Sequence, residues 1–265
     1  MKLFKLSVLA FSVGLLAACS SGGGGGDNGA AAQNNGKGAL TDTSVKPATK
    51  SIDLVDEQYK EQVREAKELK LLDGTVIEIV DYPVGIVQEK VNDGIVKGIN
   101  LPYSVVGGWL PNDVKVDENG LVIDPRVTED DFDIFGVATT KGQMPVKGVA
   151  QYNGYSLGAV TSGKLQLNVD FGNETVEGKL YDRKFDNGQQ LPDITLNKGT
   201  ITEGDPNIGK KDVMAFSGMA TYKGVEGVYI GSFMGPNAEE VAGAVGSEEH
   251  GIYEAFGGQR GEIKK

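Results

Sequence analysis

The chain holds one cysteine, one histidine and one tryptophan among 265 residues. A lone cysteine excludes an internal disulfide, so the fold must rest on its core. One cysteine and one histidine are too few for a zinc site of the Cys/His kind. They also leave His250, in SEEHGIYEAF, as the only histidine a Ser/His/Asp triad could use. No G-x-S-x-G elbow is present, and no strand-to-helix alternation surrounds that residue. The glycine runs lie near the N-terminus or within strands, which excludes a phosphate-binding loop. Enzyme readings fail on these grounds, and no cofactor or metal is expected. Basic residues are also few, 26 against 37 acidic for a net charge of −11. That balance excludes the basic face needed for nucleic acid or for an electrostatic grip on anionic lipid.

The one long apolar run, LSVLAFSVGLLAA, follows Lys2 and Lys5. It is too short for a mature membrane span and ends in small residues, as a secretory signal does. The tetrapeptide Leu16-Ala17-Ala18-Cys19 resembles the lipobox of bacterial lipoproteins, in which the cysteine becomes the acylated first residue. A plain signal with a chance cysteine is the alternative, and the uniqueness of Cys19 weighs against it. Signal removal at residue 18 leaves 24 basic and 37 acidic residues, a charge of −13. Two or more acyl chains hold a protein stably to a membrane. Ser20, in place of aspartate, favours outer-membrane sorting by resemblance to known rules.

Residues 19–51 have almost no large apolar side chain and cannot offset the entropy of ordering. They are expected to form a flexible tether reaching on the order of 30 Å. Beyond it, Ile52–Leu72 carries a helical period. Val55, Tyr59, Val63 and Ala66 share one face, and Asp56 stands at the N-cap position. Short strands follow in TVIEIVDY, GIVKGINL and SVVGGWL. Asn119-Gly120, between Val114/Val116 and Leu121/Ile123, marks a tight hairpin. The acids Asp113, Asp117 and Glu118 lack the regular calcium-loop spacing and read as a solvated turn. Glu129-Asp130-Asp131 reads as a linker between halves.

From residue 134 the strands come evenly. In KLQLNVDF, Leu165, Leu167, Val169 and Phe171 alternate with polar residues, the mark of a half-buried antiparallel strand. The heptads Gly148–Gly154 and Gly218–Gly224 repeat G-x-A-x-Y-x-G, each read as a strand ending in a hairpin. Strands near 147–153, 155–161, 163–171, 174–181, 193–203, 212–223, 225–234 and 239–257 number eight. A barrel of that size is filled by its own side chains. Pro236, Glu239 and Glu240 suggest one helical turn that plugs or rims a barrel end before the last strand. The fold class is mainly β: an eight-stranded antiparallel barrel over 134–265, preceded by a smaller α+β, mostly β, domain over 52–133.

Three patterns in the C-terminal half carry a family resemblance: G-x-A-x-Y-x-G, G-K-L-x-x-x-x-D-F at Gly163–Phe171, and Y-x-G-x-F-x-G-x-x-A-x-E-V-A-G at Tyr229–Gly243. The chain resembles factor H-binding protein and the C-terminal barrels of transferrin-binding protein B, with KELKLLDG at 67–74 extending the likeness upstream. The resemblance implies a Gram-negative surface lipoprotein, monomeric, exported by a surface-lipoprotein translocator and binding a host serum protein. It transfers no contact residue, because members differ in ligand. Two partner-binding candidates come from the residues themselves. Trp109 and Tyr103 lie in PYSVVGGWLPN, and such rings dominate interface energetics where they are exposed. A core role for Trp109 is the competing reading. The alternative function is a carrier holding a small apolar ligand or haem inside the barrel; interior volume separates the two.

Overall fold

The computed structural model describes residues 49–70, 76–91, 94–118, 122–127, 132–205, 210–247 and 252–265. The expected signal, tether cysteine, acidic linker 129–131 and His250 all lie outside the described residues.

The amphipathic face near the N-terminus packs as its spacing requires. Ile52, Val55 and Val63 form a small core with Val80, Tyr103 and Val137, and Tyr59 and Ala66 pack against it. The regular helix is shorter than the pattern suggests. Helix α1 covers only Lys60–Ala66, preceded by 3-10 turns at Ser51–Leu54 and Glu57–Tyr59. Asp56 precedes the second turn and makes no side-chain capping bond. The helix stops at Lys67, and Glu68–Lys70 (β1) instead pairs with Val76–Glu78 (β2). Tertiary bonding overrides local helix preference here. The Lys67 ammonium turns inward and donates to the carbonyls of Leu101 and Pro102.

Four antiparallel strands make the N-terminal sheet: β3 (Gly85–Val91), β4 (Gly94–Asn100), β5 (Ser104–Pro111) and β6 (Phe132–Gly136). β6 runs past residue 133, so it carries the N-terminal unit across the expected boundary to Gly136. The segment between β5 and β6 is drawn together by a Val116–Val122 bridge; the expected Asn119-Gly120 turn itself lies outside the described residues.

The C-terminal barrel is an up-and-down meander of eight strands, each pairing with its chain neighbours. They are β7 (Val149–Leu157), β8 (Thr161–Asp170), β9 (Thr175–Phe185), β11 (Ile194–Asp205), β12 (Lys210–Tyr222), β13 (Val225–Met234), β14 (Glu240–Ser247) and β15 (Ile252–Arg260). Pairing of β15 with β7 and of β8 with β9 closes the circle, while the two-residue β10 (Gln190–Leu191) adds to the end of β9. Closure leaves no long unpaired edge.

The strand count is as expected, but two boundaries differ. The first heptad does not end in a hairpin: β7 continues through Gly154, which pairs with Leu165 on one side and Gly258 on the other. A Cβ at Gly154 would strike the Gly257 and Gly258 backbone, so this glycine serves close strand approach rather than a turn. The expected strand 239–257 is in fact two, β14 and β15. The second heptad does end in a hairpin, with Lys223 and Gly224 at φ 50° and 81°, values a tight β-turn demands.

Rings and aliphatic chains fill the interior. Leu165, Leu167, Val169 and Phe171 are buried as the alternation required, beside Tyr152, Phe216, Tyr229, Phe233 and Phe256. Phe216 sits 5.2 Å from Phe233 and 6.3 Å from Phe256, centroid to centroid. One barrel end is closed by the chain following β13. The expected helical turn is absent there: Gly235 and Ala238 adopt φ 87° and 53°. Left-handed residues at those points break a helix, and Glu239 folds back to accept from the Asn237 amide at 2.7 Å. Ala238 enters the barrel core, and the Tyr152 hydroxyl donates to its carbonyl at 2.7 Å.

Candidate binding surface

The N-terminal sheet lies on the outer wall of the barrel. Its inner face supplies Ile99, Val106 and Ile134, which share a core with Leu157, Met234, Ala242 and Ala255 of the barrel. Small wall residues make this approach possible. A Cβ on Gly257 would already stand 3.2 to 3.5 Å from Ile99, Leu101 and Val106.

Buried charges fasten the two units. Glu240, the first residue of β14, is 1% exposed and accepts from the Tyr103 amide at 2.9 Å and the Ser104 hydroxyl at 2.7 Å. Burial pushes its carboxyl up to about 7, opposed by those two hydrogen bonds and by the Lys67 charge. Burial likewise pulls Lys67 down to about 8, opposed by the charge of Glu240. Lys97 of β4 is buried too, donating to the Ala159 carbonyl at 2.8 Å and to Asp186 at 3.3 Å. Sequence reading missed Lys67, Lys97 and Glu240. Each lies dozens of residues from its partner, and no local period marks such a pair.

Cross-strand register assigns the outer face of the same sheet. Trp109 stands opposite Val96, Gly107 opposite Gly98, and Val105 opposite Asn100 and Phe135. Residues directly opposite one another share a face. Trp109, Val96 and Phe135 are half-buried there, and Val87 joins them from β3 through its pairing with Gly98. The indole lies across Gly94, where a Cβ would collide with its Nε1 edge. The absence of a side chain at Gly94 thus leaves the indole its room.

Tyr103 occupies a different place. It is 5% exposed, packs edge-on against Tyr59 at 6.4 Å, and belongs to the small N-terminal core. The two sequence candidates are therefore not brought together: one ring faces outward and the other is core. Nearby, Arg126 joins the acids of the β5–β6 segment, donating from Nη2 to Asp113 at 3.0 Å and to Asp124 at 2.6 Å. Hydrogen bonds from Arg126 hold the Asp124 carboxyl well below the usual carboxylate range. This arginine makes the acidic cluster a structural pin. Among the described residues, no group of three or more His, Cys, Asp or Glu is placed to hold a metal. Among the described residues, no helix is long and apolar enough to cross a membrane.

Comparison with known proteins places the resemblance on the barrel. Residues 142–245 match the family model of factor H binding protein, C-terminal. No curated protein sequence matches the chain. Among solved structures, the transferrin binding protein B of Haemophilus parasuis is 21% identical with a TM-score of 0.49, over 76% of this chain and 41% of that one. The isotype 1 protein of serogroup B Neisseria meningitidis gives 18%, 0.48, 75% and 40% in the same order. The haemoglobin receptor HpuA of Kingella denitrificans gives 14%, 0.47, 74% and 76%. The chain spans about two-fifths of the length of those transferrin binding proteins. Over its barrel, this chain is similar to the C-terminal part of factor H binding protein, the family its motifs resemble.

Proposed function

We propose that the protein binds a host protein at the bacterial surface, held there through acylated Cys19 on a flexible tether. The observation that carries this reading is the family match across residues 142–245. A second observation separates it from the carrier alternative. The barrel interior is occupied by its own aromatic and aliphatic side chains, so binding falls to the outside of the molecule. Trp109, on the outer face of the N-terminal sheet, is the anchor we assign to that contact. Tryptophan is among the residues that most often carry the binding energy of an interface.

The test is capture from host serum by the acyl-free body, residues 49–265, with bound protein identified by mass spectrometry. Wild type should retain one serum protein, and Trp109→Ala should weaken that binding about thirtyfold, the usual loss for an anchor worth about 2 kcal/mol. Failure of wild type to retain any serum protein would overturn the function. Full binding by Trp109→Ala would move the site elsewhere on the surface. Placement is tested separately. Cys19→Ala should release the protein from the membrane fraction with its body folded, and external protease should remove the body from intact cells.

A further inference from the structure

One stretch of the barrel's outer wall carries amides in place of charges. On β7, Gln151, Asn153 and Tyr155 face outward, in alternation with the buried Tyr152 and the close-packed Gly154. Register sets Asn168 of β8 opposite Gln151 and Gln166 opposite Asn153, while Gln259 of β15 stands opposite Asn153 on the other side. Residues directly opposite share a face, with Cβ atoms about 5 Å apart. Gln151, Asn153, Gln166, Asn168 and Gln259 therefore form one contiguous patch over three strands, and none of them ionises. Charges resume at its border on β9, where Glu177 and Lys179 stand opposite Asn168 and Gln166.

The amides order one another. Gln151 Nε2 donates to Asn168 Oδ1 at 3.0 Å, and Asn153 Nδ2 donates to Gln151 Oε1 at 3.3 Å. Gln151 is thus held at both ends of its amide. An amide offers two donors and an acceptor oxygen. The chain of three therefore presents Asn153 Oδ1 as an acceptor at one end and Asn168 Nδ2 as a donor at the other. Tyr155 stands on the same face, two residues beyond Asn153 and 39% exposed. Strand chemistry does not account for the patch, because asparagine is depleted in strands. Departures from local preference concentrate at functional sites.

We propose that this patch binds a neutral oligosaccharide, the glycan chain of the captured host protein; that source rests on the function proposed above. The chemistry selects the ligand. An uncharged patch on a chain of net charge −11 offers an ion no partner, so its complement is an uncharged molecule rich in hydrogen-bonding groups. Neighbouring sugar hydroxyls each donate and accept, and a planar amide meets them with its carbonyl and its NH2 together. The C–H face of a sugar ring packs on an exposed aromatic ring, the part Tyr155 supplies. The patch spans two strand spacings, about 10 Å, which gives room for more than one sugar ring.

Two measurements test the site, and the first needs no captured partner. Oligosaccharides released from serum glycoproteins and stripped of sialic acid are titrated into the acyl-free protein. Side-chain amide resonances, followed by nuclear magnetic resonance, should shift with a dissociation constant of about 1 mM or tighter. The double variant Asn153→Ala, Gln166→Ala should bind about tenfold more weakly, the loss expected from two hydrogen bonds. Both side chains lie outside the core, so its melting temperature should stay within a few degrees of wild type. The second measurement uses the serum protein that wild type retains. Enzymatic removal of its glycans should weaken retention about tenfold. No shift at millimolar oligosaccharide, or equal affinity in the double variant, overturns the proposal. A shift with the bacterium's own surface polysaccharide alone also overturns it, as does a deglycosylated serum protein that binds as tightly as before. If no serum protein is retained, the function proposed above fails, and the oligosaccharide titration still decides this site by itself.

Discussion

Glu240 shows how far one residue can depart from its local appearance. In GPNAEEVAG it has the look of an acid at a helix N-terminus; in the fold it sits beneath the N-terminal sheet, bonded to Tyr103 and Ser104. Its raised carboxyl has a consequence for stability. A carboxyl whose folded value is above its unfolded one contributes stability fully below about 4.5, and that contribution is lost as pH rises through about 7. Lys67 acts in the opposite sense. Its folded value is lowered, so its contribution is present above about 10.5 and lost as pH falls through about 8. Between pH 7 and 8 both penalties apply. The pair therefore makes a shallow minimum in stability near neutrality, and acidification toward pH 5 relieves the Glu240 part. Glu240→Gln should remove that relief. Urea melts at pH 5 to 8 should show wild type gaining roughly 1–3 kcal/mol relative to the variant on acidification. A constant difference between the two across this range would contradict the assignment.

At the scale of elements, period carried more information than punctuation did. The strict alternation of Leu165, Leu167, Val169 and Phe171 was legible because each strand residue answers to the pleat alone. The face of Val55, Tyr59, Val63 and Ala66 was legible for the same reason, although the helix beneath it ends early. Glycine misled because it serves two purposes. Gly224 turns the chain, whereas Gly154, at the same place in the repeated heptad, lets β15 approach β7. Only the position of another strand separates the two cases, and that position lies about a hundred residues away in sequence. Trp109 and Tyr103, six residues apart, were likewise indistinguishable until register set one on the outer face and the neighbouring core claimed the other. The glycine distinction makes a prediction. Gly154→Val forces a side chain against backbone that cannot yield, so it should destabilise the barrel by about 3 kcal/mol or more. Tyr155→Ala, one residue on and 39% exposed, should leave the melting temperature within a few degrees. Soluble yield and thermal melts of the two variants would reveal any equivalence between them.

For the whole molecule, the issue is how much of it can stand alone. All eight barrel strands pair with chain neighbours except at the closing β15–β7 seam, so residues 138–265 contain every partner the barrel needs. The start at Ala138 is also physical. Ala138 and Thr140 bridge to Met234 and Val213, and the Thr139 amide donates to the Phe233 carbonyl at 2.8 Å. On the barrel wall the uncovered surface is Leu157 and Met234 beside the small Ala242, Ala255 and Gly257, and the separate barrel interior stays filled. The N-terminal unit has the opposite balance. Alone it would bare Ile99, Leu101, Val106 and Ile134, and a unit of that size buries too little surface to absorb the loss. Residues 138–265 should therefore give a cooperative melt and a β-type circular dichroism spectrum, while residues 49–137 should melt far lower or not fold. Binding then follows from the placement of Trp109 on the N-terminal sheet. If the partner grips both units, the barrel fragment should be folded yet bind at least about thirtyfold more weakly than residues 49–265. A fragment that binds as tightly as the longer chain would place the whole contact on the barrel wall. A fragment that fails to fold would show that the barrel depends on the N-terminal sheet, with Glu240 and its partners as part of one cooperative core.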